Sequence, residues 1–374
     1  MDFVCSSCHV VATATPRVWR CPGCGGVLDV SRRIAFAPDL IEARDPSLWR
    51  YRAMIGLPEG AIPVSLGEGM TPLVAADLGG TRVLFKLEYL APTGAFKDRG
   101  TSVLISALKR WGVQRAADDS SGNAGASFAA YAAHAGIAAE VFAPAHASPA
   151  KLAQIEIYGA TLNRIEGVRE KTTDALEAAT ATGLVYASHA WSPFTLEGTK
   201  TVAYELWEQL TGRVGGAPAA AGSDGAPDYF VSPIGQGSLF LGAYRGFRDL
   251  MTAGLIGRLP RMIGVQAEGC RPIVEAIRQG LDRAAVIEKH PSVAEGIALA
   301  KPIRDREILH AIRETGGDAV AVSDSEIHAA RTALARLGLY VEPTSAVVAA
   351  ALLRGRLQGT VVAALTGSGL KSPS

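Results

Sequence analysis

Hydrophobic and polar positions change period repeatedly along this chain, and the changes predict alternating strands and helices. Residues 83–88 (Val-Leu-Phe-Lys-Leu-Glu) read as a strand, which Pro92 and Gly94 break. From Asp98 onward Val103, Leu104, Ala107 and Leu108 recur at helical spacing. Further on, the same reading expects a helix over 123–135, a strand over 138–143, a helix over 147–159, a strand over 184–187 and a helix over 199–210. Apolar runs at 229–231, 262–265 and 361–365 are strand-like, and Glu342-Pro-Thr-Ser-Ala opens an alanine-rich helix. Alternation of this kind predicts an α/β fold, with parallel sheets covered by helices on both faces. The glycine- and alanine-rich stretch 215–227 is expected to be a mobile surface loop, and no internal repeat is found.

Composition narrows the class of protein. With 374 residues, 48% hydrophobic, the chain can bury a large core and is expected to hold at least two domains. A net charge of +1 gives no support to nucleic acid or an anionic membrane as the main partner. The start, Met-Asp-Phe-Val-Cys, lacks the basic and apolar regions of a signal peptide, and no apolar run reaches membrane-spanning length. A cytoplasmic location is the expectation.

Chemistry concentrates first at Pro92-Thr-Gly-Ala-Phe-Lys-Asp-Arg-Gly-Thr-Ser102. Lys97 falls at the junction of loop and helix, where the positive end of the helix dipole disfavours the ammonium and brings the nucleophilic amine within reach. A single lysine is far more often a solvated surface residue. Three more segments change that balance. Asp119-Ser-Ser-Gly-Asn-Ala-Gly-Ala126 and Ser232-Pro-Ile-Gly-Gln-Gly-Ser-Leu239 each form a glycine-rich passage from strand to helix, the arrangement that presents backbone N–H groups to a phosphate. Val361-Val-Ala-Ala-Leu-Thr-Gly-Ser-Gly-Leu-Lys371 ends a buried strand in a Thr-Gly turn.

In order and spacing these four segments resemble pyridoxal-phosphate enzymes of the tryptophan-synthase-β type, and residues 65–371 resemble threonine synthase and its relatives. The resemblance implies two open parallel-sheet domains of fold type II. It implies pyridoxal 5'-phosphate as cofactor, held through a Schiff base to Lys97, the residue that would also remove the substrate's α-proton. Asn123 would hydrogen-bond the cofactor's ring hydroxyl; Gly235, Gln236, Gly237 and Ser238 would hold its phosphate; Thr366 would face the pyridine nitrogen. A hydroxyl there leaves the ring nitrogen largely unprotonated, which tunes the ring as an electron sink. A homodimer acting on a small amino-acid substrate is implied as well.

The cysteines add a separate module. Cys5-x-x-Cys8 and Cys21-x-x-Cys24 lie twelve residues apart, a spacing that lets four thiolates complete a tetrahedral, structural Zn(II) site, the zinc-ribbon pattern. Disulfides or a redox Cys-x-x-Cys explain the two pairs less well in a chain without an export signal. His9 is expected to be a bystander and Cys270 a buried, inert thiol. The organisation expected is a zinc ribbon at 1–30, a large α/β domain from 31–85 and 200–374 with the phosphate loop, and a smaller α/β domain at 86–199 carrying Lys97 and the asparagine loop.

The resemblance breaks at the substrate. Threonine synthases grip the phosphate of O-phosphohomoserine with an arginine, an asparagine and a serine. Here Thr195 stands where the arginine is expected, and His189 and Ala190 fall in place of the other two. Leu239 replaces a further asparagine, and Ser368 a histidine. Each charge-assisted bond lost is worth roughly 1.5 to 3 kcal/mol. Ser120, Ser121 or Lys200 are candidate replacements, and Ser120, Ser121, His189 and Thr195 are the candidate substrate contacts. His134, near a helix end, is expected to cap carbonyls, and Asp98 and Arg99 to orient the first turn of the Lys97 helix. The leading activity is therefore that of a pyridoxal-phosphate-dependent lyase converting O-phosphohomoserine to threonine. The alternative is a serine or threonine ammonia-lyase, or a β-replacing synthase with a non-phosphate leaving group. An inactive zinc-ribbon binding module is the remote alternative.

Overall fold

The computed structural model describes every residue except 32, 33, 146, 148, 168, 215–223, 356, 373 and 374. The chain opens with three short strands, β1 (Asp2–Cys5), β2 (Val11–Thr13) and β3 (Leu28–Val30), paired antiparallel in the order β2-β1-β3. A 3-10 segment (Leu48–Met54) precedes the hairpin of β4 (Leu73–Leu78) and β5 (Thr81–Lys86). Then come α1 (Lys97–Arg110), β6 (Arg115–Asp118), α2 (Asn123–Ala135), β7 (Ala138–Pro144), α3 (Pro149–Ile157), β8 (Thr161–Ile165), α4 (Arg169–Thr180), β9 (Val185–Tyr186) and α5 (Pro193–Thr199). The remainder holds α6 (Thr201–Leu210), β10 (Tyr229–Pro233), α7 (Ser238–Thr252), β11 (Arg261–Ala267), α8 (Pro272–Arg278), α9 (Asp305–Glu314), β12 (Asp318–Val322), α10 (Asp324–Arg336), α11 (Pro343–Leu353) and β13 (Val361–Ala364).

These elements form two units. Unit 1 comprises Met1–Ile34, Pro38–Gly69 and Ala91–Thr199; unit 2 comprises Ala35–Ala37, Met70–Leu90 and Lys200–Ser374. Unit 1 holds a four-stranded parallel sheet in the order β8-β7-β6-β9. Unit 2 holds a six-stranded sheet, β12-β11-β10-β13-β5-β4, parallel except for β4 at one edge. Parallel strands of this kind need helical crossovers, which the intervening α-helices supply.

Unit 1's core joins the N-terminal strands to the helices of the four-stranded sheet. Phe3, Cys5, Cys21, Leu28 and Val30 are buried in one apolar cluster with Val103, Ile105 and Phe194. Phe3 meets Trp111 and Phe194 edge-on at centroid distances of 6.5 and 5.7 Å, a favoured geometry for ring quadrupoles. Unit 2's core is mostly aliphatic, built from Val231, Val265, Val322, Val361 and the buried face of α11, with Phe85 among them.

Helices α1 and α5 approach unusually closely. A Cβ on Gly198 would collide with the Arg99 carbonyl, and one on Gly100 with Thr195, so glycine at both positions lets the backbones touch. The helix expected over 199–210 is α6, and a separate short helix, α5, precedes it from Pro193 to Thr199, where the chain passes from unit 1 to unit 2. The other expected strands and helices lie within a few residues of their observed bounds. The stretch 215–227 falls mostly outside the described residues.

Candidate active site

In unit 1, Lys97 is the first residue of α1 and is half-buried, with its ammonium 4.6 Å from the Phe96 ring centroid. The turn that presents it is held by Asp98, fully buried, whose Oδ2 accepts from Thr93 N–H at 2.7 Å and whose Oδ1 accepts from the Thr93 hydroxyl at 2.6 Å. This is the orienting role expected of Asp98, and Arg99 beside it is likewise buried. Asn123 is the first residue of α2, following β6, and Ser120 and Ser121 are half-buried in the turn between them. Ser120 Oγ accepts from Gly122 N–H at 3.3 Å. Because β9 pairs with β6 in parallel, His189 lies at the same carboxyl edge as Ser120, Ser121 and Asn123. Its Nδ1 is 3.3 Å from Asp118 Oδ1.

Thr195 is placed differently. It is 4% exposed on α5, packed against Gly100, and its hydroxyl has no partner among the described residues. The position makes a helix contact within unit 1. His134 is exposed in the last turn of α2.

Both site helices of unit 1 meet at one carboxylate, in the segment Gly67-Glu-Gly-Met-Thr-Pro-Leu73, which resembles an entry motif of related enzymes but suggested no role for its glutamate. Glu68, fully buried in the Gly-Glu-Gly turn, accepts from Trp49 Nε1 at 2.8 Å, Tyr131 OH at 2.7 Å, Leu66 N–H at 2.8 Å, Ser65 Oγ at 3.2 Å and the Ser102 hydroxyl. Ser102 belongs to α1 and Tyr131 to α2. Burial, with the Asp98 and Glu68 charges adding to it, pushes the Tyr131 phenol far above its ordinary range and keeps it a neutral donor. The available signal was a charged residue between two glycines upstream of a strand, which by itself reads as an exposed turn.

In unit 2 the glycine turn links β10 to the fifteen-residue α7. Gly237 caps that helix at φ 79°, a left-handed conformation that favours glycine, and Gly235 is buried where a Cβ would press on the Gly296 carbonyl. The backbone there is bare at a helix N-terminus. Gln236 accepts from Ile303 N–H at 3.1 Å, and Ser238 is buried at the first turn. The neighbouring parallel strand, β13, delivers Thr366 to the same end of the sheet. Thr366 is 4% exposed, and its Oγ1 lies 2.9 Å from the hydroxyl of Ser345 on α11, which also receives Gly367 N–H at 2.7 Å. Ser345 is a buried hydroxyl partner of Thr366 that the alanine-rich helix pattern concealed. Leu239 is buried in α7. Lys200 stands 3.8 Å from Asp249.

A bare glycine cradle at a long helix N-terminus and a buried hydroxyl pair at the adjacent strand end are a donor set that fits the phosphate and ring nitrogen of pyridoxal phosphate.

At the N-terminus the four cysteine sulfurs lie within 4.8 Å of one another, with Cys5 and Cys24 3.5 Å apart and Cys8 and Cys21 likewise. Backbone N–H groups of Ser7 and Cys8 point at Cys5 Sγ, and that of Gly23 at Cys21 Sγ. Burial raises the Cys5 thiol, yet the Cys8 and Ser7 amides and the Cys24 thiol outweigh it and bring Cys5 down to about 6. Such a cluster can hold a metal ion. His9 is exposed and contributes no atom to it. Cys270 is buried, and burial pushes its thiol up, as fits an inert residue.

The chain belongs to the pyridoxal-phosphate dependent enzymes, whose family model matches residues 64–367. Within that class it is a lyase of the threonine synthase family. It is 34% identical over 386 aligned residues to a threonine synthase of Methanosarcina acetivorans, covering 99% of this chain and 92% of the relative. A threonine synthase of Methanocaldococcus jannaschii is 32% identical, with the same two coverages. Among solved structures, a threonine deaminase from T.th. superposes with a TM-score of 0.65 at 27% identity, covering 80% of this chain and 92% of that one. Among the described residues, no helix is long and apolar enough to cross a membrane.

Proposed function

We propose that this protein is a threonine synthase, releasing phosphate from O-phosphohomoserine and forming threonine. The observation that carries the reading is the match to two threonine synthases along 99% of the chain. Bound pyridoxal phosphate supplies a sink for negative charge at the substrate's α-carbon. The residues of unit 1 have the following roles. Lys97 would anchor the cofactor, and its Nζ is the group that would carry the substrate's α-proton. Asn123 would hydrogen-bond the ring hydroxyl, Asp98 and Thr93 fix the turn that carries Lys97, and Ser120 and Ser121 would contact the substrate from the same loop. In unit 2, the backbone of Gly235, Gln236 and Gly237 with the Ser238 hydroxyl would hold the cofactor phosphate, and Thr366, backed by Ser345, would serve the ring nitrogen.

Residues 1–30 act as a zinc ribbon, with Cys5, Cys8, Cys21 and Cys24 binding one structural Zn(II). The thiol cluster and its N–H contacts support this role, and thiols kept for metal suit the cytoplasm. Family resemblance supports a homodimer. A second activity, deamination of threonine or serine, is favoured by the likeness to a threonine deaminase.

Incubating the holoenzyme with O-phosphohomoserine, and separately with threonine and serine, decides between them. Phosphate and threonine are the expected products; 2-oxo acid from threonine without phosphate release from the ester would establish the second reading instead. Borohydride should fix the cofactor to the Lys97 peptide, and Lys97→Ala should abolish turnover. Metal analysis should return about one zinc per chain, lost in Cys8→Ser.

A further inference from the structure

The connection between α8 and α9 in unit 2 is long for a compact domain. Its 26 residues, 279–304, hold no regular element among the described residues except the 3-10 turn Glu295–Ile297. Ordered loops beyond about 12 to 15 residues without secondary structure are uncommon and usually functional. This one meets the phosphate turn at two points. The Gly296 carbonyl lies where a Cβ on Gly235 would press, and Ile303 N–H donates to Gln236 Oε1 at 3.1 Å. Both arms of the loop also line a cavity of about 270 Å³, one through 283–287 and the other through 300–302, with Asp305 of α9 completing the wall.

The lining defines the chemistry the cavity would take. Ala285, Val286, Ile287, Ala300 and Pro302 give it apolar walls, and Val286 is 98% exposed, an aliphatic side chain left in water beside them. Arg283 and Lys301 add two cations, and neither makes a hydrogen bond or ion pair with another described residue. Asp305, by contrast, is engaged: its Oδ2 accepts from Ala284 N–H and its Oδ1 from Arg306 N–H, both at 2.8 Å. The unmet charge is therefore positive, and its two carriers come from opposite arms of the loop. A volume just below ~300 Å³ suits a ligand smaller than a drug-sized molecule.

We infer that this cavity is a second ligand site, for a short branched aliphatic carboxylate, and that its occupancy is coupled to the hold on the cofactor phosphate. The carboxylate accepts from the Arg283 guanidinium and the Lys301 ammonium, and the alkyl group covers Val286 and its apolar neighbours. An α-ammonium would meet two like charges, so the ligand is an acid without an amino group rather than an amino acid. Bridging the two cations ties the arms of the loop together. The arm that carries Lys301 and the buried Pro302 continues directly into Ile303, whose N–H orients Gln236. Fixing this arm fixes that donor and steadies the turn that holds the phosphate. Such coupling is reciprocal: the factor by which the acid tightens the cofactor is the factor by which the cofactor tightens the acid. The inference goes beyond the proposed reaction, because it is indifferent to the leaving group the active site takes.

The test uses the holoenzyme and 3-methylbutanoate, a branched acid with no amine to react with the cofactor. Calorimetric titration should show one site per chain. Arg283→Gln combined with Lys301→Gln should weaken binding about tenfold, while Lys289→Gln, outside the lining, should change it less than about twofold. The neutral isostere 3-methylbutanamide should bind wild type about tenfold more weakly than the acid. Arg283 and Lys301 are both exposed, so their substitution leaves the core intact. Release of cofactor, followed by its absorption after dilution of the holoenzyme, should slow about threefold when the acid is bound, and should not slow in the double variant. Gln236→Leu should keep affinity for the acid within about threefold and lose the slowing. If that variant holds no cofactor, wild type and the double variant decide. A wild type that fails to bind the acid at about 10 mM, an amide that binds as well, or an affinity unchanged in the double variant would overturn the site. Cofactor release at one rate with and without bound acid would overturn the coupling.

Discussion

Glu68 in unit 1 and Lys86 in unit 2 are both fully buried charges, and they are satisfied by opposite means. Glu68 accepts hydrogen bonds from five neutral groups drawn from four stretches of chain. Lys86 donates to Glu205 Oε2 at 2.8 Å, to the Thr71 carbonyl at 2.6 Å and to Gln209 Oε1 at 3.0 Å. The first is a carboxylate solvated by the protein; the second is an ion pair with both side chains at 0% exposure. An ion pair leaves a stranded charge when one partner is removed, whereas a solvated carboxylate leaves only donors. The two units are thus expected to fail differently.

The largest effect should come from Lys86→Met, which strips the ammonium from beside a buried Glu205 and should cost about 3 to 5 kcal/mol by denaturant titration. Adding Glu205→Leu should recover much of the loss, and a double variant no better than the single would break the comparison. Next comes Glu68→Gln, which keeps one acceptor oxygen but turns the other into a donor facing Tyr131, Leu66 or Ser65. A cost of about 1 to 3 kcal/mol is expected. A loss exceeding that of Lys86→Met would show that the shared carboxylate matters more than the ion pair. The smallest effect belongs to the surface. Arg354 donates to Glu326 and holds its carboxyl at about 2, below the usual 4.5. A carboxyl depressed in the folded state stabilises above its unfolded value and loses that contribution as pH falls towards 2. Since both side chains are more than a third exposed, Glu326→Gln should cost under about 1 kcal/mol, and only above that pH range.

The strands that lead into the motifs were legible because apolar runs bounded by glycine and proline carry their own punctuation, as at Tyr229–Pro233 before the Gly235 turn. The bounds of α2 follow from the glycines that cap it, Gly122 before Asn123 and the left-handed Gly136 after Ala135. Lys97 at a helix start was readable for the same reason. What pattern could not reveal depends on partners distant in sequence. Glu68 is buried only because Trp49, Ser102 and Tyr131 converge on it, and residues 38–69 join unit 1 through such contacts. Thr195 looks like a substrate position in sequence, yet the missing side chain of Gly100 draws it into a helix contact. The pairing of His189 with Asp118, 71 residues apart, likewise requires β9 to lie beside β6.

The N-terminal strands carry a consequence for synthesis. Phe3 leaves the ribosome 191 residues ahead of its ring partner Phe194. At about 5 to 20 residues per second, the nascent chain waits roughly 10 to 40 s before that apolar face can be covered. During this interval the four cysteines can already gather on their own turns, so metal capture would give the emerging segment a local structure while its hydrophobic partners are still untranslated. The cell's metal supply would then govern how much of this chain escapes aggregation during translation, a matter of yield at the ribosome that the finished protein no longer displays.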